Sequence, residues 1–450
     1  MTKEINEREL VLEILLEITR DHVKSHVALQ NILGKYQYLE KRERAFITRV
    51  TEGTLEHMIE IDYILNQFSS VKVNKMKPVI RMILRSAVYQ MRYMDSVPDS
   101  AVCNEAVKLA VKKGFRNLKG FVNGVLRTVG RNKDQMKWPD EKDAVTYLSV
   151  RYSIPEWMTE QFLEQYGREI TEKIFGDFQK EKPLTIRCNL QKQTPEKLAE
   201  LLREEGVNVK PHPYLPYAYW ISGFDYLGSL KSFQDGAFQV QDLSSMLVTE
   251  LAAPKKGDYV IDVCAAPGGK ALHMAEKLEG TGLVEARDLT TYKTELIEEN
   301  VIRLGFENVT VSCQDATVPV PESEERADIV IADLPCSGLG VLGKKTDLKY
   351  NITREMQKEL VKLQREILAV VRTYVKPGGR LIYSTCTLNR EENEENVSWF
   401  LETAPEFLPV SISEAVCDSL KSAVEGNMLK LLPGIYQSDG FFISVFQKKE

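Results

Sequence analysis

The seven cysteines of this 450-residue chain include no CxxC pair, and their number is odd. They stand alone, at positions 103, 188, 264, 313, 336, 386 and 417. Both facts argue against a disulfide framework and against a zinc site, and they favour a reducing compartment. His22 and His26 have i, i+4 spacing but no accompanying glutamate motif, so we expect surface residues and no metal site.

Long apolar runs are also missing from the sequence. The N-terminal segment MTKEINEREL is charged, and no stretch approaches the length of a membrane span. We therefore expect a cytoplasmic protein without a membrane partner. Hydrophobic residues make up 43% of the chain, which is enough for real cores, and the length predicts two or three domains.

An overall excess of basic residues is absent too, because the net charge is -6. Two local stretches nevertheless carry a strong positive charge. Residues 71–94 contain six basic side chains and no acid, and residues 101–133 contain eight basic side chains and only Glu105. Such local charge can neutralise phosphates on an otherwise acidic chain, although a solvated helix face is the plainer interpretation.

Three regions differ in their hydrophobic pattern. In residues 1–135 the apolar residues recur at helical spacing, which predicts an all-helical domain. Residues 136–235 combine a polar linker with short helices and strands, which indicates a small α+β module. In residues 236–450 runs such as DYVIDVCA, ADIVIADLP and GGRLIYSTC alternate with helical patterns, which is typical of a doubly wound, mostly parallel sheet.

A glycine-containing loop, VCAAPGGKA at residues 263–271, follows the first predicted strand of that sheet. A phosphate-binding P-loop would have glycine at Cys264 and a hydroxyl at Ala271, and a nicotinamide fingerprint would need GxGxxG. Neither pattern is met. A nucleoside ligand without phosphates is the alternative that remains.

Acidic residues follow the next three predicted strands. Asp288 ends the second strand, 20 residues past Gly268, which is the distance at which a carboxylate reaches a ribose hydroxyl in such folds. Asp315 and Asp333 end the third and fourth strands. Three carboxylates at one sheet edge repel a phosphate and suit a cation such as the sulfonium of S-adenosylmethionine, although each acid alone is typical of a helix cap or turn.

Two cysteines end two adjacent predicted strands. Cys336 lies in ADLPCSG, residues 332–338, and Cys386 lies in STCT at the end of the fifth strand. Most unpaired cysteines are buried packing residues, but two at one edge beside an acid favour chemistry. A thiolate that adds to C6 of cytosine makes C5 nucleophilic towards a methyl donor, an acid can bind the N3 and N4 edge, and the base must first leave its stack.

CAAPGGK, DLPCSG and STCT, with Asp288 and Asp315 between them and FQVQDLSS before them, resemble the RNA 5-methylcytosine methyltransferases of the NOL/NOP/Sun family over about residues 145–450. The resemblance implies a Rossmann-like S-adenosylmethionine-dependent methyltransferase sheet. It implies that Cys386 attacks, that Cys336 assists product release and that Asp333 contacts the base. Asn393 matches the family's asparagine that closes the following turn. The implied cofactor-binding residues are Cys264, Ala265, Ala266, Pro267, Gly268, Gly269, Lys270, Asp288, Asp315 and Asp333.

Residues 5–133 resemble NusB, an RNA-binding antitermination factor. A NusB-like domain before this catalytic half is similar to the bacterial members of the family that act on the small ribosomal subunit. The resemblance therefore implies 16S ribosomal RNA as the substrate, free or in an early particle, and a monomeric enzyme. Two alternatives stay open: the same chemistry on transfer RNA, and a non-catalytic RNA-binding factor in ribosome assembly or antitermination. DNA cytosine methyltransferases attack with the Pro-Cys cysteine and lack the Thr-Cys partner, which favours RNA.

The chain departs from the family pattern at three positions. After the Pro-Cys motif the family usually has two basic residues and Pro-Asp, whereas this chain has Gly343, Lys344, and Thr346 before Asp347. The substrate contacts of this loop are therefore in question. After GGK the family usually has threonine, and Ala271 removes that hydroxyl.

Overall fold

The structure is a computed structural model, and it describes residues 6–36, 38–133 and 135–450. It divides into two compact units. The first comprises residues 1–180 together with 342–351, and the second comprises residues 181–341 and 352–450. The predicted domain boundaries at 135 and 235 stay predictions. The strands of the predicted α+β module lie in the second unit, whereas the helices before them lie in the first.

The first unit is helical, as the periodic pattern predicts. In the first helix Leu12, Ile14 and Leu15 are completely buried, and the side chain of Asn6 caps the helix by accepting from the backbone N–H of Glu9. The helices are α1 (Glu7–Arg20), α2 (Ser25–Lys35), α3 (Lys41–Glu56), α4 (Met58–Phe68), α5 (Pro78–Tyr93), α6 (Asp99–Lys112), α7 (Lys119–Asn132), α8 (Ala144–Tyr152) and α9 (Glu156–Phe178). The predicted surface positions of His22 and His26 are confirmed, since both are exposed.

Residues 342–351, which follow the Pro-Cys motif, pack with this helical unit and end in a short helix, α15 (Leu348–Asn351). The carboxylate of Asp347 accepts from the backbone N–H and the hydroxyl of Ser25 at 3.1 and 2.7 Å. Lys349 Nζ and the Tyr350 hydroxyl donate to backbone carbonyls at the end of α3. A Cβ atom at Gly343 would lie 2.8 Å from the carbonyl oxygen of Phe178. The segment that departs from the family pattern therefore packs against the helices of this unit.

Several cations of the two basic stretches form ion pairs within the helical unit, and RNA binding by the stretches stays a prediction. Arg85 is buried and forms a bidentate ion pair with Asp62, and Arg92 forms an ion pair with the fully buried Glu60. In the second stretch four lysines form ion pairs: Lys108, Lys112, Lys113 and Lys133. Lys108 pairs with Glu105 three residues earlier, whereas helix packing places the other side chains against acids from outside the two stretches or from other helices, so local charge counts overestimate the charge that is free to bind RNA.

The second unit begins with a small antiparallel sheet in the order β2-β3-β1-β4. Its elements are β1 (Leu184–Cys188), α10 (Pro195–Glu204), β2 (Asn208–Pro211), β3 (Ala218–Ser222), α11 (Lys231–Gln234) and β4 (Phe238–Val240). Arg187, 1% exposed, reaches from β1 to pair with Glu276 at 2.8 Å and donates to Gln241. This buried contact joins the small sheet to the helix that contains Glu276.

The larger sheet has the order β11-β12-β13-β9-β8-β5-β6-β7, with β10 also paired to β13. Strands β5 to β9 are parallel, and β13 runs antiparallel to β9. Strand β5 lies between β8 and β6. The strands β6 and β7 follow on one side of β5 and the strands β8 and β9 on the other, so the strand order switches at β5. Doubly wound folds bind their ligands at such a switch point. The predicted α/β fold class is confirmed.

The strands are β5 (Tyr259–Asp262), β6 (Leu283–Asp288), β7 (Val309–Cys313), β8 (Ala327–Asp333), β9 (Val375–Thr385), β10 (Phe407–Pro409), β11 (Val424–Glu425), β12 (Met428–Leu431) and β13 (Phe441–Lys448). The helices are α12 (Leu243–Ala252), α13 (Gly269–Lys277), α14 (Thr291–Leu304), α16 (Arg354–Val371) and α17 (Glu394–Thr403). The glycine and proline residues of KPGGR favour a turn that precedes the last parallel strand, and this expectation is wrong. Strand β9 starts at Val375 and contains that segment, with Gly378 at φ 76° and a register shift against β8.

Candidate active site

The carboxyl ends of β8 and β9 bring the two predicted catalytic cysteines together. Asp333 is the last residue of β8 and Cys336 follows it in the next turn, while Cys386 comes directly after β9. Because the two strands are parallel neighbours, both turns lie at one sheet edge, and the two Sγ atoms are 3.3 Å apart. The hydrogen bond with Cys386 and burial raise the pKa of Cys336 well above its ordinary value.

The Asp333 carboxylate is held from two sides. Lys270 Nζ donates to Oδ2 at 2.6 Å, and the Ser384 hydroxyl donates to Oδ1 at 2.7 Å. Burial acts to lower the pKa of Lys270, but the ion pair with Asp333 outweighs it and the pKa is raised. Lys270 therefore carries a positive charge at the two-cysteine edge, a role that the sequence motif did not reveal.

The loop between β5 and α13 has the compact shape that the sequence predicts. Gly268 adopts φ 105°, a left-handed conformation that suits glycine, and is the N-cap of α13. The backbone N–H of Ala266 donates to Asp288 Oδ2 at 3.0 Å. The other oxygen of Asp288 accepts from Leu289 N–H and from Lys293 Nζ at 2.8 Å. The glycine loop and the acid at the end of the second strand are therefore in direct contact.

Asp262, the last residue of β5, is a buried acid at this edge that the sequence analysis did not select. It is fully buried, and burial raises its pKa to about 7. Its Oδ1 accepts from Cys264 N–H, while Oδ2 has no hydrogen-bond partner among the described residues. Its position at a strand end directly before the glycine loop was the available signal. Burial, followed by the adjacent acids Asp262 and Asp288, raises the pKa of Cys264, which therefore stays a thiol.

Asp315 lies apart from this cluster in its contacts. It follows β7 by two residues, its side chain is exposed, and Oδ1 accepts from the backbone N–H and hydroxyl of Thr317. These hydrogen bonds lower its pKa. No described hydrogen bond or ion pair joins it to the other predicted site residues, so its role in cofactor binding stays a prediction.

The turn after Cys386 is closed by buried polar side chains. Asn393 accepts from the Thr385 hydroxyl at 2.6 Å and donates to the Thr387 carbonyl at 3.0 Å, which is the turn-closing position expected from the family pattern. Glu392, missed by the sequence analysis, is completely buried and accepts from the backbone N–H of Ser337 at 2.9 Å. Because Ser337 follows Cys336 directly, the two cysteine turns are joined.

Among residues 6–36, 38–133 and 135–450, no group of three or more His, Cys, Asp or Glu side chains could hold a metal ion. Within the same ranges, no helix is both long and apolar enough to cross a membrane.

Comparisons with protein families match the segments that contain the two cysteines, the glycine loop and the helical unit. The profile of the family described as 16S rRNA methyltransferase RsmB/F matches residues 249–447. The NusB family matches residues 5–131, and the RsmF/B-like ferredoxin-like domain matches residues 154–223. A probable ribosomal RNA small subunit methyltransferase B of Bacillus subtilis is 34% identical over 99% of this chain and all of the relative. The chain belongs to the ribosomal RNA small subunit methyltransferase B family.

Further relatives agree with this assignment. The ribosomal RNA small subunit methyltransferase B of Cronobacter sakazakii is 28% identical over the full length of both chains. The crystal structure of PH0851 superposes over the full length of both chains with a TM-score of 0.82 and 27% identity. NSun6 from Pyrococcus horikoshii, solved with SFG, has a TM-score of 0.57 at 24% identity, covering 65% of this chain and 97% of that one, and shows the shared fold. The predicted family, a NusB-like domain before an S-adenosylmethionine-dependent rRNA methyltransferase, is confirmed.

Proposed function

We propose that this enzyme methylates C5 of a specific cytosine in 16S ribosomal RNA through a covalent bond between Cys386 and C6 of the base. The observation that carries the proposal is the 3.3 Å approach of the Cys336 and Cys386 thiols beside Asp333. Methylation of an exocyclic nitrogen or a ribose hydroxyl needs no thiol, because those atoms are nucleophilic without covalent activation.

The residues at the β5 edge fit S-adenosylmethionine, which supplies an electrophilic methyl group when bound. Asp288 is held by a loop N–H in the position where such folds bind ribose hydroxyls. Asp262, whose buried Oδ2 has no hydrogen-bond partner among the described residues, offers a further polar group at the same edge. Residues 264–270 would surround the cofactor, with contributions from Asp288, Asp315 and Asp333.

Each group at the β8–β9 edge has a separate task in the proposed reaction. Cys386 adds to C6 as the thiolate, which is favoured by the nearby ammonium group of Lys270. Asp333 faces the N3 and N4 edge of the cytosine, with Lys270 and Ser384 holding its orientation. After methyl transfer, the C5 proton passes to water, the C5–C6 double bond re-forms and the C6–S bond breaks, so that Cys386 leaves as the thiolate, and Cys336 assists this release.

Recognition of RNA is assigned to the helical unit, and in particular to cations that the structure leaves without ion pairs. On α7 these are Lys119, Arg127 and Arg131, all exposed and without a described acidic partner. Contacts of this kind bind phosphates and position the RNA without selecting its sequence. The names of the curated relatives favour the small-subunit RNA over transfer RNA, and we propose a monomeric enzyme that acts on free 16S RNA or an early particle.

A denaturing gel of protein incubated with unmethylated RNA and S-adenosylmethionine tests the mechanism. Cys336→Ala is expected to accumulate a covalent protein–RNA band, because the adduct forms but is released slowly. Cys386→Ala is expected to give no band and no methylation. Cys417→Ala, at an exposed cysteine outside the site, is the matched control and should behave like the wild type. Absence of a band from both site variants would refute the two-cysteine mechanism.

Bisulfite mapping of 16S RNA and transfer RNA, each unmethylated beforehand, tests the substrate. We expect one protected cytosine in 16S RNA after incubation with the wild-type protein. Protection only in transfer RNA would keep the chemistry and overturn the substrate, and protection in neither would support the non-catalytic alternative. Running free RNA and a 30S-precursor particle in parallel separates the two forms of the substrate.

A further inference from the structure

Glu392 is a buried carboxylate that connects the turns carrying the two cysteines. Its side chain is completely buried, in the turn between β9 and α17. Oε2 accepts from the backbone N–H of Ser337 at 2.9 Å, and Oε1 accepts from the Ser337 hydroxyl. Ser337 is the neighbour of Cys336, so this pair of hydrogen bonds fixes the Pro-Cys turn directly.

Further donors around Glu392 come from the turn after Cys386 and from α16. Asn389 donates to Oε1 at 3.0 Å, and Gln364 donates to Oε2 at 2.9 Å. The same amide group of Gln364 donates to the carbonyl of Pro335, on the other side of Cys336. Ser337 and Thr387, which follow the two cysteines, also bond to each other at 2.7 Å. Glu392 thus lies at the centre of a polar network that spans both turns.

Burial raises the pKa of Glu392, whereas the hydrogen bonds from Ser337, Asn389 and Gln364 act to lower it. Every described hydrogen bond to the carboxylate is donated by a neighbour, which is a geometry that suits an ionised acceptor. No described lysine, arginine or histidine forms an ion pair with it. A buried charge without a cation is costly, and such groups cluster at functional sites.

The charges around the thiol pair are arranged asymmetrically. Lys270 from α13 interacts with Cys386. The hydrogen bond with Cys386 and burial are the largest causes of the raised pKa of Cys336, and the nearby Glu392 adds to them. Asp333 at the end of β8 is paired with Lys270, and Asp262 at the end of β5 lies behind it. Two thiolates 3.3 Å apart repel each other, so the pair holds one negative charge most readily, and that charge is drawn towards Lys270.

We propose that Glu392 is a positioning residue of the two-cysteine site, which fixes the separation of the thiols and keeps Cys336 the thiol so that Cys386 becomes the thiolate. This inference rests on the proposed function for its role in catalysis. Its physical content is independent of RNA, since it concerns which of two sulfurs ionises. The two cysteines differ in their surroundings, because Glu392 is hydrogen-bonded to the neighbour of Cys336, whereas Lys270 interacts with Cys386.

Alkylation of the free enzyme with iodoacetamide, followed over pH by mass spectrometry of the two cysteine peptides, tests the proposal. Glu392→Gln keeps the shape and removes the charge, so the ratio of Cys336 to Cys386 alkylation should rise at least fivefold and the pH midpoint of Cys336 should fall. Glu392→Asp keeps the charge and should stay within twofold of the wild-type ratio. Because no RNA is present, failure of this test is distinguishable from failure of the proposed methylation.

Glu276→Gln is the matched control, because it neutralises another buried carboxylate of the same unit outside the cysteine turns. It should lower stability without changing the alkylation ratio. An unchanged ratio in Glu392→Gln, with a loss of stability like that of Glu276→Gln, would overturn the proposal in favour of a structural role.

A second variant keeps the proposal testable if Glu392→Gln does not fold. Ser337→Ala removes one hydrogen bond to Glu392 and retains the carboxylate charge. We expect the alkylation ratio to stay within twofold of the wild-type value, while oxidation of the two thiols to a disulfide by diamide, which is reduced to the hydrazine, slows at least threefold. An unchanged oxidation rate would contradict the positioning role.

Discussion

The carboxylate of Asp347 caps the start of a helix that lies 322 residues earlier in the chain, by accepting both the backbone N–H and the hydroxyl of Ser25. Asp347 is 7% exposed, and α2 has no other side-chain cap. In the family pattern this aspartate follows the Pro-Cys motif, which places it in a loop expected to contact the substrate. In this chain the Asp347 side chain forms its hydrogen bonds within the helical unit.

Asp347→Ala should therefore lower stability, because α2 loses two charge-assisted hydrogen bonds at its first turn. The expected loss is about 0.5–2 kcal/mol in the free energy of unfolding. Urea denaturation followed by far-UV circular dichroism measures it. Asp418→Ala, which removes a carboxylate that is 94% exposed, is the control and should change the midpoint little. Equal midpoints for the two variants would show that the cap contributes nothing.

Lys349 makes the stability of the helical unit depend on pH. Its ammonium group is buried beside the carbonyl of Glu56, and burial lowers its pKa from 10.5 to about 7. Between about pH 7 and 10.5 the unfolded chain holds the proton and the folded chain does not, so stability rises with pH by up to about 1.4 kcal/mol per unit. Lys349→Met should remove this rise.

Urea midpoints of wild type and Lys349→Met at pH 7.0 and 9.5 measure the effect, because other titrating groups contribute equally to both proteins. Lys345→Met, at an exposed lysine four residues away, should retain the wild-type pH dependence. Parallel pH profiles for wild type and Lys349→Met would contradict a depressed pKa.

The strand ends and their residues were predictable from sequence because local patterns determine them. Short β-rich runs followed by CAAPGG, DLPCSG or STCT fix where each strand ends, and parallel pairing brings those ends to one edge. Cys336, Cys386 and Asp333 were found in this way. The extension of β9 through KPGGR was not predictable, since Val375 and Arg380 on either side of KPGG both pair with β8 and the intervening residues form an irregularity within the strand.

Contacts between distant residues were beyond the reach of the sequence alone. Glu392 occurs in a charged run, NREENEEN, which is typical of a solvated surface, and its burial depends on Ser337, 55 residues earlier. The number of unpaired positive charges likewise cannot be counted from the basic stretches, because the pairing of Arg85 with Asp62 follows from helix packing. The local sequence pattern therefore does not indicate which charged side chains form ion pairs in the folded protein.

The ion pair between Arg187 and Glu276 is expected to be costly to break. Both side chains are nearly inaccessible, so removing one partner leaves an uncompensated buried charge. Arg187→Met should lower the free energy of unfolding by about 3–5 kcal/mol, and Arg187→Met/Glu276→Met should recover part of that loss. Urea denaturation of the two single variants and the double variant gives the coupling. Strict additivity of the single changes would show that the pair does not act as a unit.

The unpaired cations of α7 should carry more of the RNA affinity than the paired lysines of the same basic stretch. Lys119→Gln/Arg127→Gln/Arg131→Gln removes three cations without described acidic partners, whose phosphate contacts would release counterions. We expect weaker RNA binding, a salt slope reduced by about 2–3, a raised KM and an unchanged kcat. Fluorescence anisotropy with a 16S fragment at several salt concentrations measures the slope.

The matched control is Lys108→Gln/Lys112→Gln/Lys133→Gln, which removes the same number of positive charges from side chains that already pair with Glu105, Glu9 and Asp99. If net charge alone attracts the RNA, both triple variants lose affinity equally. If RNA lies along α7, only the first triple variant shows the reduced salt slope. The comparison therefore separates a localised phosphate-binding face from the general electrostatic attraction of the unit, because both variants change the net charge of the protein by the same amount.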